Sequence, residues 1–291
     1  MTYPSPAGAA GALSIGGDLT VSRMGFGAMR ITGKGIWGDP PDRDEAKRVL
    51  RRAVELGVDF IDTADSYGPN VSEELIAEAL HPYPDGLVIA SKGGLLRFKP
   101  GPGWPVDARP EHLREALDGS LQRLRVERID LYQLHRPDPE VPYEESVGAL
   151  AELKREGKIR HVGVSNVNLD ELRRARAVTE IVSVQNRYSP VDRSSDDVLD
   201  ACERDGLAFL PWAPFEQGKL DDEVIAEIAG RHGATPYQVG LAWLLARSAV
   251  MLVIPGTGSV EHLEENVAAA GLKLNQQELG LIADLKAETT D

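Results

Sequence analysis

Residues 110–166 read PEHLREALDGSLQRLRVERIDLYQLHRPDPEVPYEESVGALAELKREGKIRHVGVSN, and this stretch decides the fold. PEHLREALDGSLQRL opens on a proline and carries apolar residues at helical spacing, the form of an amphipathic helix with Pro in its first turn. The run Ile129–Leu134 that follows is short and apolar on both faces, as a strand covered on both sides must be. SVGALAELKREGK returns to the helical period, and His161–Val164 is a second short apolar run. A strand, a helix and another buried strand make a parallel βαβ unit.

The same alternation extends in both directions. Further apolar runs suited to buried strands are Met24–Met29, Val58–Ile61, Leu87–Ala90, Ile181–Gln185, Leu207–Trp212 and Val250–Ile254. RDEAKRVLRRAVELG is amphipathic and stops at Gly57, and SEELIAEAL begins with a serine and acids in its first turn, as helix starts do. LDELRRARAV, DVLDACERDG, YQVGLAWLLAR and HLEENVAAAG complete the series. Eight strands alternating with helices suit a doubly wound sheet or a closed barrel. The dinucleotide fingerprint G-x-G-x-x-G is absent near the first strand, where Gly25-Phe26-Gly27 is followed by Arg30. The expected fold is therefore α/β, a (β/α)8 TIM barrel. Leu13–Ile15 and Leu19–Val21 flank a Gly-Gly-Asp turn, so a short N-terminal β-hairpin is expected ahead of it. Residues 1–12, rich in Pro, Ala and Gly, read as a loose tail. No linker divides 13–291, which reads as a single barrel domain.

The chain of 291 residues carries a formal net charge of −14 and has a pI near 4.9. Such a field repels phosphate backbones and anionic lipids, and no basic patch offsets it, so neither nucleic acid nor membrane is expected as a partner. The N-terminus lacks the basic start and apolar run of a signal peptide, and a cytoplasmic location is expected. Cys202 is the only cysteine and reads as a small packed residue. No His, Cys and acid grouping has zinc-site spacing, so no metal is expected.

In a barrel the site gathers where the strands end. The second strand ends at Asp62, with Tyr67 five residues on; the third ends at Ser91-Lys92, the fourth at His135 and the fifth at Ser165-Asn166. Gln185-Asn186, Trp212 and Pro255-Gly256-Thr257 close the remaining three. Each residue alone has a bland reading: Asp62 as a cap, Lys92 as a solvated amine, His135 as a satisfied histidine, Tyr67 as a rim aromatic. Together on one face they can deliver a proton. A tyrosine is a poor acid at neutral pH unless a cation lies beside it; Lys92 could be that cation and Asp62 its counter-charge. His135 could donate to a carbonyl oxygen or relay a proton.

DFIDTADSYG, IASK, DLYQLHRPD, GKIRHVGVSN, VQNRYS and IPGT…HLEEN, in that order from about Met24 to Asn266, resemble the aldo-keto reductase superfamily. The resemblance implies a nicotinamide cofactor lying across the C-terminal face of the barrel and reduction of an aldehyde or ketone. It implies a catalytic tetrad of Asp62, Tyr67, Lys92 and His135, with Tyr67 protonating the carbonyl oxygen. Ser165, Asn166 and Gln185 would hold the carboxamide, and Trp212 stands where family members usually carry Tyr or Phe beneath the nicotinamide. Ala213, Pro214, Phe215, Gln217 and Lys219 fall in the loop that would cover the pyrophosphate. Thr257 and Ser259 could bond a 2′-phosphate, with Glu265 and Asn266 at the adenine. The Lys or Arg that many members carry around Gly256, Gly258 or His262 is missing, so NADPH is the first choice and NADH an alternative. Trp37, Phe98 and Trp104, in loops after the first and third strands, are candidates to line the substrate pocket. The competing readings are a cofactor-sensing partner protein and a cofactor-free barrel isomerase or lyase.

Overall fold

The computed structural model describes residues 5–101, 103–212 and 223–285. Strands β1 (Ala12–Ile15) and β2 (Leu19–Ser22) form an antiparallel hairpin. Seven parallel strands follow in sequence order: β3 (Phe26–Gly27), β4 (Phe60–Asp62), β5 (Val88–Gly93), β6 (Ile129–Leu134), β7 (Ile159–Ser165), β8 (Ile181–Arg187) and β9 (Ala208–Trp212). Segment 250–254 closes the ring. On one side Leu252 N–H donates to the Phe209 carbonyl at 2.9 Å; on the other Gly25 N–H donates to the Val253 carbonyl at 2.8 Å. This is the expected eighth strand, present as two parallel bridges instead of a continuous ladder. The first strand is likewise shorter than expected: after Gly27 the chain turns into a 3-10 helix at Ala28–Ile31.

Helices α1 (Arg43–Glu55), α2 (Val71–Leu80), α3 (Pro110–Leu124), α4 (Tyr143–Arg155), α5 (Leu169–Val178), α6 (Asp196–Asp205), α8 (Pro236–Arg247) and α9 (Val260–Ala268) correspond to the eight helical patterns in the sequence. Two more, α7 (Glu223–His232) and α10 (Gln276–Ala283), were not anticipated. Local chemistry fixes several starts. Asn168 and Thr235 form capping boxes with Glu171 and Gln238, and Pro110 opens α3. Helix α2 differs from expectation: its N-cap is Asn70 at φ +71°, and Ser72 lies inside the helix. The Ser72 hydroxyl is buried, 2.8 Å from that of Thr63, and donates to the Ala28 carbonyl at 3.1 Å.

Alternation along the strands divides the core into two shells. Tyr132, Leu134, Val162 and Val164 face outward against Leu117, Val147 and Leu150 of the helices. Phe60, Val88, Ala90, Leu131, Val182, Leu210 and Leu252 fill the barrel interior together with Ile15, Leu19 and Val21 of the hairpin. The hairpin thus plugs the N-terminal end of the barrel. Asp18 ties it to β7, bonded by His161 at 2.6 Å and Arg160 at 2.9 Å. The expected loose tail is packed from residue 7: Ala7–Ala10 form a 3-10 turn, and Ala7 is buried with its carbonyl accepting from the Ser22 hydroxyl. Small side chains, read from composition as looseness, are here what permits close approach. Cys202 is fully buried, and burial pushes its thiol pKa up to about 12, which leaves it inert. Among the described residues no helix is long and apolar enough to cross a membrane.

The seam between first and last strands depends on Gly27, where a Cβ would lie 2.6 Å from the Ile254 carbonyl oxygen. Gly27→Ala is expected to cost about 1–3 kcal/mol by forcing the seam apart, read as a lowered midpoint in urea unfolding.

Candidate active site

Four strands of the barrel aim polar side chains at one buried point beneath its C-terminal mouth. Asp62 ends β4, Lys92 lies in β5, Gln133 in β6 and Gln185 in β8, above an interior that is largely apolar. Lys92 has no solvent exposure, and its ammonium makes three bonds: to Asp62 Oδ2 at 2.6 Å, to the Thr63 carbonyl at 2.9 Å and to the Tyr67 hydroxyl at 3.3 Å. Asp62 Oδ1 accepts from Gln185 Nε2 at 2.8 Å and from Gln133 Nε2 at 3.3 Å. Both charges are therefore met by specific partners, as buried ions must be.

Burial works against the Lys92 ammonium, but Asp62 and the Tyr67 oxygen outweigh it and the pKa is raised. Lys92 stays charged. The expected depression of the Tyr67 pKa is not the net result. Burial raises it; Lys92 pulls it down, but Asp62 and Asp65 push upward and the balance lies above the ordinary value of 10.0. The phenol is thus kept protonated and bonded to a cation. His135 crosses Tyr67 edge to face, with ring centroids 5.9 Å apart. Burial first, then the Lys92 and Arg136 charges, hold the imidazole well below 6.5, so it is neutral. Its Nδ1 is buried with no partner among the described residues, while its backbone is pinned by Gly93 and by Asn166 Nδ2 at 2.9 Å.

The remaining expected residues divide by location. The Ser165 hydroxyl donates to the Gln185 carbonyl at 2.7 Å, and Asn166, at φ +59°, gives its amide nitrogen to His135 and Ser165. Those side chains form a rigid shelf whose amide oxygens, on Asn166 and Gln185, are the acceptors suited to a carboxamide NH2. Trp212, at the C-terminal end of β9, is half-buried, and its Nε1 is buried with no partner among the described residues. The donor set therefore fits a nicotinamide. Ala213, Pro214, Phe215, Gln217 and Lys219 lie outside the described residues. Thr257 is buried and its hydroxyl accepts from Ser259 N–H at 3.1 Å; Ser259 caps α9. Glu265 is exposed and Asn266 half-buried on that helix. A residue not anticipated, Glu45, reaches the start of α9 and accepts from Val260 N–H at 3.3 Å.

Of the three aromatic candidates for the pocket, Trp104 crosses the Tyr67 ring edge to face at 6.4 Å, and Trp37 is half-buried nearby on the loop after β3. Phe98 is 74% exposed and stands away from them. Sequence reasoning also passed over Gln133 and Asp65. Gln133 had a signal, a lone amide inside the apolar run Ile129–Leu134, on the same strand face as His135. Asp65, inside DTADSYG, had none, because its environment comes from Glu73 of α2, Arg123 of α3 and Lys92 of β5.

This geometry has counterparts. The chain matches the Aldo/keto reductase family over residues 23–287. It is 48% identical over 263 residues, 90% of this chain and 85% of the other, to an uncharacterised oxidoreductase of Schizosaccharomyces pombe. It is 40% identical to the pyridoxine 4-dehydrogenase of Escherichia coli, covering 94% of this chain and 97% of that one. Among solved structures it superposes on the thermostable aldo-keto reductase Tm1743 in complex with the inhibitor epalrestat, at a TM-score of 0.82 and 34% identity, covering 94% and 99% of the two chains. An aldo-keto reductase of Klebsiella pneumoniae in complex with NADPH gives 0.82 at 27% identity, covering 96% of each. The fold and site are those of a barrel oxidoreductase. The chain belongs to the aldo/keto reductase family, whose members use NADP(H).

Asp65 supplies a check on the site's electrostatics. Burial, with the neighbouring Glu73 charge, raises its carboxyl pKa from 3.8 to about 8. A raised carboxyl binds its proton more tightly in the folded state, so its stabilising contribution is full below about 4 and is lost as pH climbs through 8. Asp65→Asn should therefore melt above the wild type at pH 8 or higher, with the gap shrinking toward pH 4. Melting curves of both proteins across that range, recorded by circular dichroism, test this; an unchanging gap would refute it.

Proposed function

We propose that this chain reduces aldehydes or ketones to alcohols, with Tyr67 as the proton donor and NADPH as the preferred cofactor. The observation that carries this reading is the buried chain Asp62–Lys92–Tyr67, at 2.6 and 3.3 Å. It joins a protonated phenol at the mouth to a fixed cation, and the cation to a fixed carboxylate. A bound nicotinamide supplies the hydride. The protein's own part is to hold the carbonyl and to protonate its oxygen. The Tyr67 O–H gives up its proton to that oxygen, and the phenolate left behind is stabilised at once by Lys92. His135, neutral and edge-on to Tyr67, is placed to donate to the same oxygen and fix its direction. Trp212 offers a stacking face for the nicotinamide, and Asn166 and Gln185 hold its carboxamide. Thr257 and Ser259, at the start of α9, are the hydroxyls for a 2′-phosphate, with the helix N-terminus favouring its charge.

Trp104 and Trp37 beside Tyr67 suit a flat substrate. The relative named pyridoxine 4-dehydrogenase acts at a carbon attached to a heteroaromatic ring, so pyridoxal belongs in the first panel of aldehydes tried, beside 4-nitrobenzaldehyde. The panel must contain at least one substrate that consumes NADPH in proportion to the alcohol formed. Tyr67→Phe is expected to lower kcat by roughly 100-fold or more while leaving the NADPH dissociation constant within a few-fold of wild type. Turnover by Tyr67→Phe at the wild-type rate would remove Tyr67 from the role of acid.

Cofactor preference is read directly by quenching of tryptophan fluorescence. NADPH should bind more tightly than NADH, and Thr257→Val should narrow the gap. Equal affinity in the wild-type protein would retire Thr257 and Ser259 as phosphate ligands without touching the proton donor.

A further inference from the structure

The loop after β5 carries a cation to which the reading above gives no task. Arg97 is only 8% exposed, yet among the described residues it has no carboxylate partner, and burial alone accounts for the lowering of its pKa. Its guanidinium sits between two indoles, 4.1 Å from the Trp104 ring centroid and 5.8 Å from that of Trp37. Nη2 donates to the Gly35 carbonyl at 2.8 Å and, more distantly, to that of Ile36 at 3.5 Å. Among the described residues Nη1 has only a long bond to the Gly101 carbonyl, 3.4 Å, and Nε is buried with no partner. An arginine has five N–H donors, so this one is under-used as well as uncompensated. Arginine remains protonated when buried, so the charge is permanent.

A cation sealed among apolar rings without a counter-ion is costly, and strapping two loops together does not require one; a neutral amide could bond the same carbonyls. Position gives the reason. Trp104 contacts both Tyr67, edge to face, and Arg97, whose guanidinium lies over its ring. Tyr67 and Arg97 thus border the same indole, and a ligand with its carbonyl at the Tyr67 hydroxyl extends toward Arg97 along that ring.

Resting on the reductase reading, we infer that Arg97 is a specificity residue that selects carbonyl substrates bearing a carboxylate, placed about one aromatic ring away from the reacting carbon. The carboxylate replaces the long Gly101 contact and takes the guanidinium's unspent N–H groups, while the indoles of Trp37 and Trp104 cover the body of the substrate. The overall charge of −14 makes such a local cation more necessary, since the remainder of the surface repels an acid.

The test compares 4-carboxybenzaldehyde with its methyl ester, methyl 4-formylbenzoate, which has the same ring and carbonyl but no charge. In the wild-type protein kcat/KM should favour the acid by roughly tenfold to a hundredfold, the range of a charge-assisted hydrogen bond. Arg97→Gln should bring the ratio close to one, and Arg97→Lys, which keeps the charge and loses the fork, should leave an intermediate ratio. A purely structural Arg97 would lower both rates together and leave the ratio unchanged, which overturns the inference. So would a wild-type ratio of one, a result that needs no variant to fold. Should neither aldehyde be turned over, nor any other aldehyde of the panel, the reductase reading is what fails. The carboxylate claim is then decided by tryptophan quenching: weaker binding of the acid, but not of the ester, to Arg97→Gln sustains it, and equal loss refutes it.

Discussion

The Lys92–Asp62 ion pair is the constraint around which the upper half of the barrel is arranged. Two opposite charges are held 2.6 Å apart, almost entirely removed from water. Removing either partner would strand the other, a loss on the order of 3–5 kcal/mol. The pair is tolerable only because several neighbouring segments contribute. The Thr63 carbonyl takes one ammonium proton, and Gln133 and Gln185 approach the far carboxylate oxygen from β6 and β8. Those two amides lie on opposite sides of β7, so the cluster assembles only when the sheet has curled. The closed barrel and the polar site are thus one structure: the hydrophobic interior sets the diameter, and the ion pair uses the space left at the top.

Much of this was readable from the sequence because barrels obey a simple periodicity. Buried parallel strands are apolar on both faces, so the eight runs stood out, and the residue ending each run marked the mouth. Asp62, Tyr67, Lys92 and His135 were found that way, and the structure brings all four together. The parts that were not readable depend on contacts between distant segments. Gln185 was expected to serve a cofactor alone, yet its nitrogen is committed to Asp62 across 123 residues of chain. Arg97 carried no signal in the sequence, because the two tryptophans that close on it come from separate loops. Asp65 and Glu45 were invisible for the same reason, since a carboxylate's role is set by what packs against it. The 3-10 turn at Ala7–Ala10 shows the limit of composition, which cannot distinguish small residues that are loose from small residues that are tightly packed.

Around the ion pair, the burial that fixes the geometry also fixes the protonation states. His135 is neutral because its ring is enclosed and two cations lie near. Tyr67 is protonated because burial disfavours phenolate more strongly than Lys92 favours it. Asp65, behind the tyrosine, retains its proton up to about pH 8, so it adds little negative charge there at neutral pH. With Lys92 and Asp62 cancelling, the floor of the mouth is close to electrically neutral before any ligand enters. Arg97, at its edge, is a buried cation with no carboxylate partner among the described residues.

Neutrality of this kind suits the proposed chemistry better than a permanently acidic tyrosine would. A phenol with a strongly depressed pKa would be largely ionised in the resting protein and could not act as an acid. A phenol with a raised pKa and a cation 3.3 Å away is held in the protonated form. It then gains the full attraction of Lys92 only as its proton leaves. The interaction therefore grows along the reaction coordinate and lowers the barrier instead of deepening the ground state. Asp62 makes this possible by keeping Lys92 charged and immobile, and the two glutamines in turn keep Asp62 in place, so the acid at the surface of the cluster is tuned by residues that never touch the substrate.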